Sequence, residues 1–252
     1  MKSWMIKFVD SLIFSSRGTA LKAEAAARRS TGAAVRFVTP SGCNGYGVYW
    51  NGKKGSPVVL FFHGSGGHVY DWEGLRESLE CSYIHILLVE YPGYGVSEGK
   101  ASEEGMLDAG RGAMEWLMRD QGIPENQVIV FGYSLGGGIA SQIVLEYRVM
   151  GLVLLSTFSS MCAAAAHRLA WLPSWLVEYL FQYHSFDTLR RLPDIGVPVL
   201  VIHGECDDTI PIVQARTNFE AANHPKELFV VKNADHRYLY FAKVFNQWLA
   251  GL

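Results

Sequence analysis

The chain is expected to fold as a mostly parallel β-sheet covered by helices on both faces, with a short helical lid over one end. Compact apolar strands alternate with amphipathic helical stretches, the pattern of a sheet buried on two sides. A Gly-x-Ser-x-Gly pentapeptide stands where one such strand runs into a helix, at Gly132-Tyr133-Ser134-Leu135-Gly136. The size agrees: 252 residues, 49% hydrophobic and 18% charged, fit one α/β domain with a large core.

Along the chain, Ala34–Val38 and Tyr46–Trp50 read as short strands joined through Pro40-Ser41-Gly42. Pro57–Phe62 is an apolar strand ending at His63-Gly64, and Asp71–Leu79 reads as a helix with Trp72, Leu75 and Leu79 on one face. His85–Glu90 is a buried strand stopped by Pro92-Gly93, followed by a helix over Ser102–Met118 with Ser102 as its cap. The strand Gln127–Phe131 leads into the small-residue helix Leu135–Tyr147, and Leu152–Ser156 is the next strand. Val197–Ile202 and Leu228–Val231 are the last two strands, and Tyr238–Leu249 is the final helix. Only Thr157–Arg191 breaks this rhythm; its helix-prone, Trp-rich composition predicts a lid insertion.

Residues 1–33 form a basic, amphipathic segment ahead of the domain at 34–252, with six Lys or Arg against Asp10 and Glu24. Trp4, Met5, Phe8, Val9, Leu12 and Ile13 recur at helical spacing. Three readings stay open: a helix packed on the domain, an organelle transit peptide, or a membrane-surface anchor through residues 1–16. No apolar run approaches the ~18–20 residues that cross a bilayer.

Net charge is −2 and the pI about 6.4, so no nucleic acid is expected as a partner. The four cysteines, Cys43, Cys81, Cys162 and Cys206, are scattered and form no Cys-x-x-Cys pair. They predict neither a zinc site nor a disulfide framework, and they fit a reducing, cytoplasmic setting. Burial beside a strand end accounts for Cys206.

A serine on a sharp strand-to-helix turn takes a strained backbone and projects its hydroxyl from the sheet's end. Ser134 is therefore the candidate nucleophile, and it needs a base. Of eight histidines, His236 follows the last strand and precedes the last helix, where a strand-end loop reaches the Ser134 turn. His63 and His203 also end strands, but each precedes a glycine and reads as a turn residue. The orienting carboxylate should leave a strand between Ser134 and His236; Asp207 and Asp208 both do. Asp235 adjoins His236 and reads as structural. The amide of Leu135, at the helix start, is one expected oxyanion donor. The second is expected from the glycine-rich turn His63-Gly64-Ser65-Gly66-Gly67, at Ser65. A phosphate loop competes for those glycines, but no Gly-Lys-Ser/Thr follows them.

In chain order, His63-Gly64-x-x-Gly67, Glu90-Tyr91-Pro92-Gly93-Tyr94-Gly95-x-Ser97, the Ser134 pentapeptide, His203-Gly204-x-x-Asp207-Asp208-x-Ile210-Pro211 and Asp235-His236 resemble the α/β-hydrolase superfamily. Within it, the chain looks most like short-lid serine hydrolases, the group that includes mammalian α/β-hydrolase-domain protein depalmitoylases and microbial relatives. The resemblance covers roughly residues 34–250. It implies the order Ser134, Asp207, His236, and its His-Gly-x-x-Asp spacing points to Asp207 over Asp208. Two departures stand out: Asp235 replaces a glycine common before the histidine, and no cysteine cluster precedes Cys43.

The resemblance implies hydrolysis of carboxylic esters or thioesters of apolar acyl groups, with a small-molecule acyl substrate and no metal or organic cofactor. Trp171 and Trp175 are the candidate acyl-binding residues of an apolar lid. A non-catalytic scaffold of the same fold and a peptidase of the same superfamily are the alternatives.

Overall fold

The computed structural model describes residues 3–15, 19–79, 83–182, 184, 186–237 and 241–252. Its strands are β1 (Ala33–Val38), β2 (Asn44–Trp50), β3 (Val58–Phe62), β4 (His85–Glu90), β5 (Val128–Tyr133), β6 (Gly151–Leu155), β7 (Val199–Gly204) and β8 (Lys226–Val231). They form one sheet in the order β1-β2-β4-β3-β5-β6-β7-β8. The β1–β2 and β2–β4 pairs are antiparallel, and every later pair is parallel.

The helices are α1 (Ser3–Ile13), α2 (Thr19–Ala27), α3 (Leu75–Ser78), α4 (Glu103–Arg119), α5 (Leu135–Glu146), α6 (Met161–Arg168), α7 (Ser174–Phe181), α8 (Thr188–Arg191), α9 (Ile212–Ala221) and α10 (Ala242–Ala250). Strands β3 to β7 are buried along their whole length, because helices cover both faces. One core holds Met114 and Leu117 of α4, Ile139 and Ile143 of α5 and Ala215 of α9. The other holds Leu75 of α3 and Phe245 and Trp248 of α10.

This split follows from chain order. The chain leaves β3 toward β4 on one side and leaves β5 toward β6 on the other. Right-handed crossovers then put α3 and α5 on opposite faces. Beyond the carboxyl ends of β3 and β5 the connections diverge and open a crevice. The loops carrying Ser65 and Ser134 meet there.

Several elements differ from the sequence reading. The helix expected over Asp71–Leu79 is a 3-10 turn at Val69–Trp72 followed by the short α3, with Gly74 between them. Asp71 accepts a bond from the His68 amide at 3.0 Å, which pins the 3-10 turn and breaks the register. The last helix starts at Ala242, and residues 238–240 of the expected span lie outside the described residues. Cys206 is exposed rather than buried, because it sits on the loop after β7; Cys81 lies outside the described residues. The expected cap of α4 is present: Ser102 Oγ accepts from the Gly105 amide at 3.1 Å.

Described residues of the N-terminal segment pack on the domain. Val9 and Ile13 of α1, with Phe14 just beyond it, are buried in the same core as β3 and α5. Asp10 Oδ1 lies 2.7 Å from His184 Nε2, beside the lid. Phe14 packs edge-on against His184 and Phe186. Ala23 of α2 is buried in the opposite core.

Candidate active site

Ser134 has φ 51° and ψ −115°, a backbone conformation that L-residues rarely adopt. Such a turn stores about 1–3 kcal/mol and persists only where its surroundings fix it. Here the Ser134 amide donates to Leu155 O at 2.9 Å, continuing the β5–β6 pairing past the strand's end. A Cβ at Gly136 would collide with the Phe62 carbonyl, so helix α5 approaches β3 this closely only through glycine.

His236 follows β8. Its loop is stitched to the one after β7, where the Cys206 amide donates to Ala234 O at 2.8 Å. Its ring bridges two groups: Nε2 lies 3.1 Å from Ser134 Oγ and Nδ1 lies 2.8 Å from Asp207 Oδ2. Tyr133 Oη donates to the His236 carbonyl at 3.0 Å, so the residue before the serine also fixes the histidine's backbone. Burial, and secondarily the Asp207 charge, push the Tyr133 phenol up to about 12, which keeps it a donor.

The structure separates the two adjacent aspartates. Asp208 is exposed, whereas Asp207 is 6% exposed and fully engaged. Asp207 Oδ1 accepts from the amides of Thr209 at 3.0 Å and Ile210 at 2.8 Å. Its Oδ2 faces His236 Nδ1 at 2.8 Å and His203 Nε2 at 3.3 Å. Burial alone would raise this carboxyl. The hydrogen bonds from His203, His236 and the Ile210 amide outweigh it and hold the group well below the usual carboxylate range. Asp235 is exposed and accepts from the Arg237 amide at 2.9 Å, away from this constellation.

The turn after β3 lies against the serine: a Cβ at Gly64 would come 3.4 Å from Ser134 Cβ. Three successive carbonyls of this turn are each held by a donor. His63 O accepts from Tyr91 Oη at 2.6 Å, and Gly64 O pairs with His63 Nδ1 at 2.8 Å. Ser65 O accepts from Tyr94 Oη at 2.9 Å and from the Ser15 amide at 3.0 Å. Ser15 and Gly66 form an isolated parallel bridge. The chain after α1 therefore lies directly on this turn. Leu135 is the first residue of α5, whose opening amides have no partner within the helix.

Ser65, Ser134, Leu135 and His236 all line one cavity of about 1050 Å³. Its apolar walls come from the lid, through Met161, Ala165 and Phe181, and from Leu12 and Ile13 at the end of α1. Trp171 and Trp175 do not line it, and the sequence reading of them is corrected here. They are 78% and 66% exposed. Helical phase explains Trp175: Val177 and Phe181, four apart on α7, face inward, which turns Trp175 and Tyr179 outward. Sequence reasoning missed Leu12, Ile13, Ser15, Tyr91 and Tyr94. The last two lay in a motif that carried no assigned role, and the first three in a segment for which packing on the domain was one of three open readings and no part in the site was assigned. Among the described residues no cluster of His, Cys, Asp or Glu is arranged to hold a metal ion.

Residues 57–183 match the family model described as alpha/beta hydrolase fold. The chain belongs to the alpha/beta hydrolase family. It is 31% identical over 191 residues to an uncharacterized protein of Mycobacterium tuberculosis, covering 76% of this chain and 66% of that one. To human protein ABHD12B it is 28% identical, over 68% of this chain and 51% of that one. It thus spans about two thirds of the mycobacterial relative's length and about half of the human one's. A Vibrio vulnificus alpha-beta hydrolase superposes with TM-score 0.74 at 22% identity, covering 98% of this chain and 91% of that one. A thermophilic esterase from Thermogutta terrifontis superposes with TM-score 0.64 at 19% identity, over 87% and 98%. At these identities the two structures show the shared fold. No helix among the described residues is long and apolar enough to cross a membrane.

Proposed function

We propose that this hydrolase cleaves carboxylic esters or thioesters of apolar acyl groups through a covalent acyl-enzyme on Ser134. The observation that carries the reading is His236, with one ring nitrogen 3.1 Å from Ser134 Oγ and the other 2.8 Å from Asp207, beside a cavity whose lid side is apolar. Ser134 Oγ attacks the carbonyl carbon while His236 Nε2 takes its proton and Asp207 holds Nδ1–H in place. The amides of Ser65 and Leu135 donate to the oxyanion. The tetrahedral adduct collapses as His236 returns the proton to the leaving alcohol or thiol. Water, deprotonated by His236, then releases the acid and restores Ser134.

Apolar walls from Met161, Ala165, Phe181 and Leu12 favour an acyl chain over a sugar or a charged peptide. Thioesters, including acylated cysteine, fit the same chemistry, and a series of esters, thioesters and amides separates these classes. The test of the reaction is covalent labelling by a fluorophosphonate. Wild type should label and Ser134→Ala should not; equal labelling of both would overturn the reading. All three members of the constellation being in place argues against a purely non-catalytic scaffold.

A lipid surface is the proposed partner. Phe8 and Leu12 lie one turn apart on α1 and are 51% and 49% exposed; α1 packs against α7, which exposes Trp175 and Tyr179. Leu12 also lines the cavity, as does Arg168, so the apolar face continues into the acyl site beside a cationic group. Tryptophan and tyrosine suit the boundary between headgroups and acyl chains.

A further inference from the structure

His63 and Glu90 are both buried, at 1% and 0% exposure, and neither takes part in the proton transfers proposed for Ser134. His63 Nε2 lies 2.9 Å from Glu90 Oε1, and its Nδ1 lies 2.8 Å from Gly64 O. The second Glu90 oxygen accepts from the Val69 amide at 3.2 Å, just past the turn. The His63 ring also lies 4.2 Å from the Tyr91 ring, between centroids.

These contacts fix the protons. A backbone carbonyl only accepts, so His63 Nδ1 must carry hydrogen to bond Gly64 O. Nε2, on the other side of the ring, lies against Glu90 Oε1 at 2.9 Å. Glu90, itself held by the Val69 amide, fixes the ring in one orientation with Nδ1 toward Gly64 O.

The carbonyl that His63 grips belongs to the same peptide unit as the Ser65 amide. That unit is planar and trans, so its C=O and N–H point in opposite directions. Holding Gly64 O toward His63 aims the Ser65 N–H the opposite way, and Ser65 lines the cavity that Ser134 also lines. A hydrogen bond accepted at the carbonyl also polarises the unit and strengthens its N–H as a donor.

We propose that His63 and Glu90 form a positioning pair that presets the Ser65 amide as an oxyanion donor. This rests on the serine-hydrolase reading above. The pair acts through the peptide and touches no reacting atom. A merely structural role would change stability or substrate affinity; this role changes affinity for the oxyanion.

The test compares wild type with His63→Ala, Glu90→Ala and His63→Asn, the last keeping a donor near the Nδ1 position. Each is measured for kcat, KM and melting temperature, and for inhibition by an alkyl trifluoromethyl ketone, whose serine adduct carries the oxyanion. His63→Ala and Glu90→Ala should lose about a hundredfold in kcat, the scale of one oxyanion donor, with KM within about threefold. Affinity for the ketone should fall in parallel, and His63→Asn should recover most of both. Unchanged ketone affinity in a folded His63→Ala or Glu90→Ala enzyme would overturn the proposal. If neither alanine variant folds, His63→Asn decides: ketone affinity and kcat near wild type support the proposal, and loss of both despite the retained donor overturns it. A wild-type protein that neither hydrolyses esters nor binds the ketone would instead overturn the hydrolase reading, and this proposal with it.

Discussion

His203 Nε2 stands 3.3 Å from the same Asp207 oxygen that His236 approaches at 2.8 Å. It also lies 2.8 Å from Ile210 O, so its hydrogen is shared between a carbonyl and the carboxylate. The carboxylate is thus approached on one side by the histidine that faces Ser134 and on the other by one that is wholly buried. Replacing His203 by Leu should lower kcat about tenfold, the scale of one hydrogen bond to a charged group. His203→Gln, which offers an amide N–H near the Nε2 position, should restore most of it. Steady-state kinetics on a p-nitrophenyl ester checks both; an unchanged kcat in His203→Leu would show that the backbone amides and His236 hold Asp207 without it.

Asp207 gives a pH signature. Its folded-state carboxyl titrates below the ordinary value of about 3.9. The native state therefore gains stability above that value and loses it as pH falls through the folded-state pKa. In Asp207→Asn that contribution is gone at every pH. The melting-temperature gap between wild type and variant should be full at about pH 6 and shrink as pH drops below about 4. Activity of the variant should fall by about four orders of magnitude. A gap that stays constant down to about pH 2 would contradict the assignment.

Chain-length preference should answer to the lid floor. Ala165 is 6% exposed and lines the cavity, so Ala165→Phe fills space that an acyl chain would occupy. Turnover of a p-nitrophenyl laurate should drop at least about tenfold while the acetate ester keeps its rate. Equal losses on both esters would place the acyl chain elsewhere.

The first helix should contribute to stability. Phe14 is 6% exposed and touches His184 and Phe186, so Phe14→Ala should cost about 3–5 kcal/mol in urea unfolding. A cost under about 1 kcal/mol would mean that this segment is not docked in solution.

Vesicle binding should answer to the outer lid face. The double variant Trp171→Ser, Trp175→Ser removes two exposed indoles that do not line the cavity. Co-sedimentation with phosphatidylcholine–phosphatidylserine vesicles should fall at least about fivefold, while turnover of a water-soluble acetate ester is retained. Wild type that does not sediment would remove the lipid surface as a partner.

Much of the sheet was legible because its inner strands are short apolar runs closed by Gly or Pro, a pattern that needs no tertiary information. Ser134, Asp207 and His236 were legible for a related reason: each follows a strand, and parallel strands bring such loops to one end. Trp171 and Trp175 were misplaced because hydrophobicity says which residues seek cover, while helical phase and the lid's docking angle decide which obtain it. The 3-10 turn at Val69–Trp72 was hidden because it depends on how the Asp71 side chain meets the His68 amide. Leu12, Ile13 and Ser15 reach the site through tertiary packing over a long sequence separation, which no local pattern encodes. Tyr91 and Tyr94 looked like two more aromatics until their hydroxyls were found on the carbonyls of His63 and Ser65.

The parallel bridge between Ser15 and Gly66 has a bearing on when the enzyme becomes active. One wall of the cavity comes from near residue 12 and its base from residue 236. On the ribosome, the early part of the pocket is therefore made long before the histidine that would energise it. On the mechanism proposed above, attack by Ser134 waits until His236 has been made and docked, so assembly order itself acts as a safety catch.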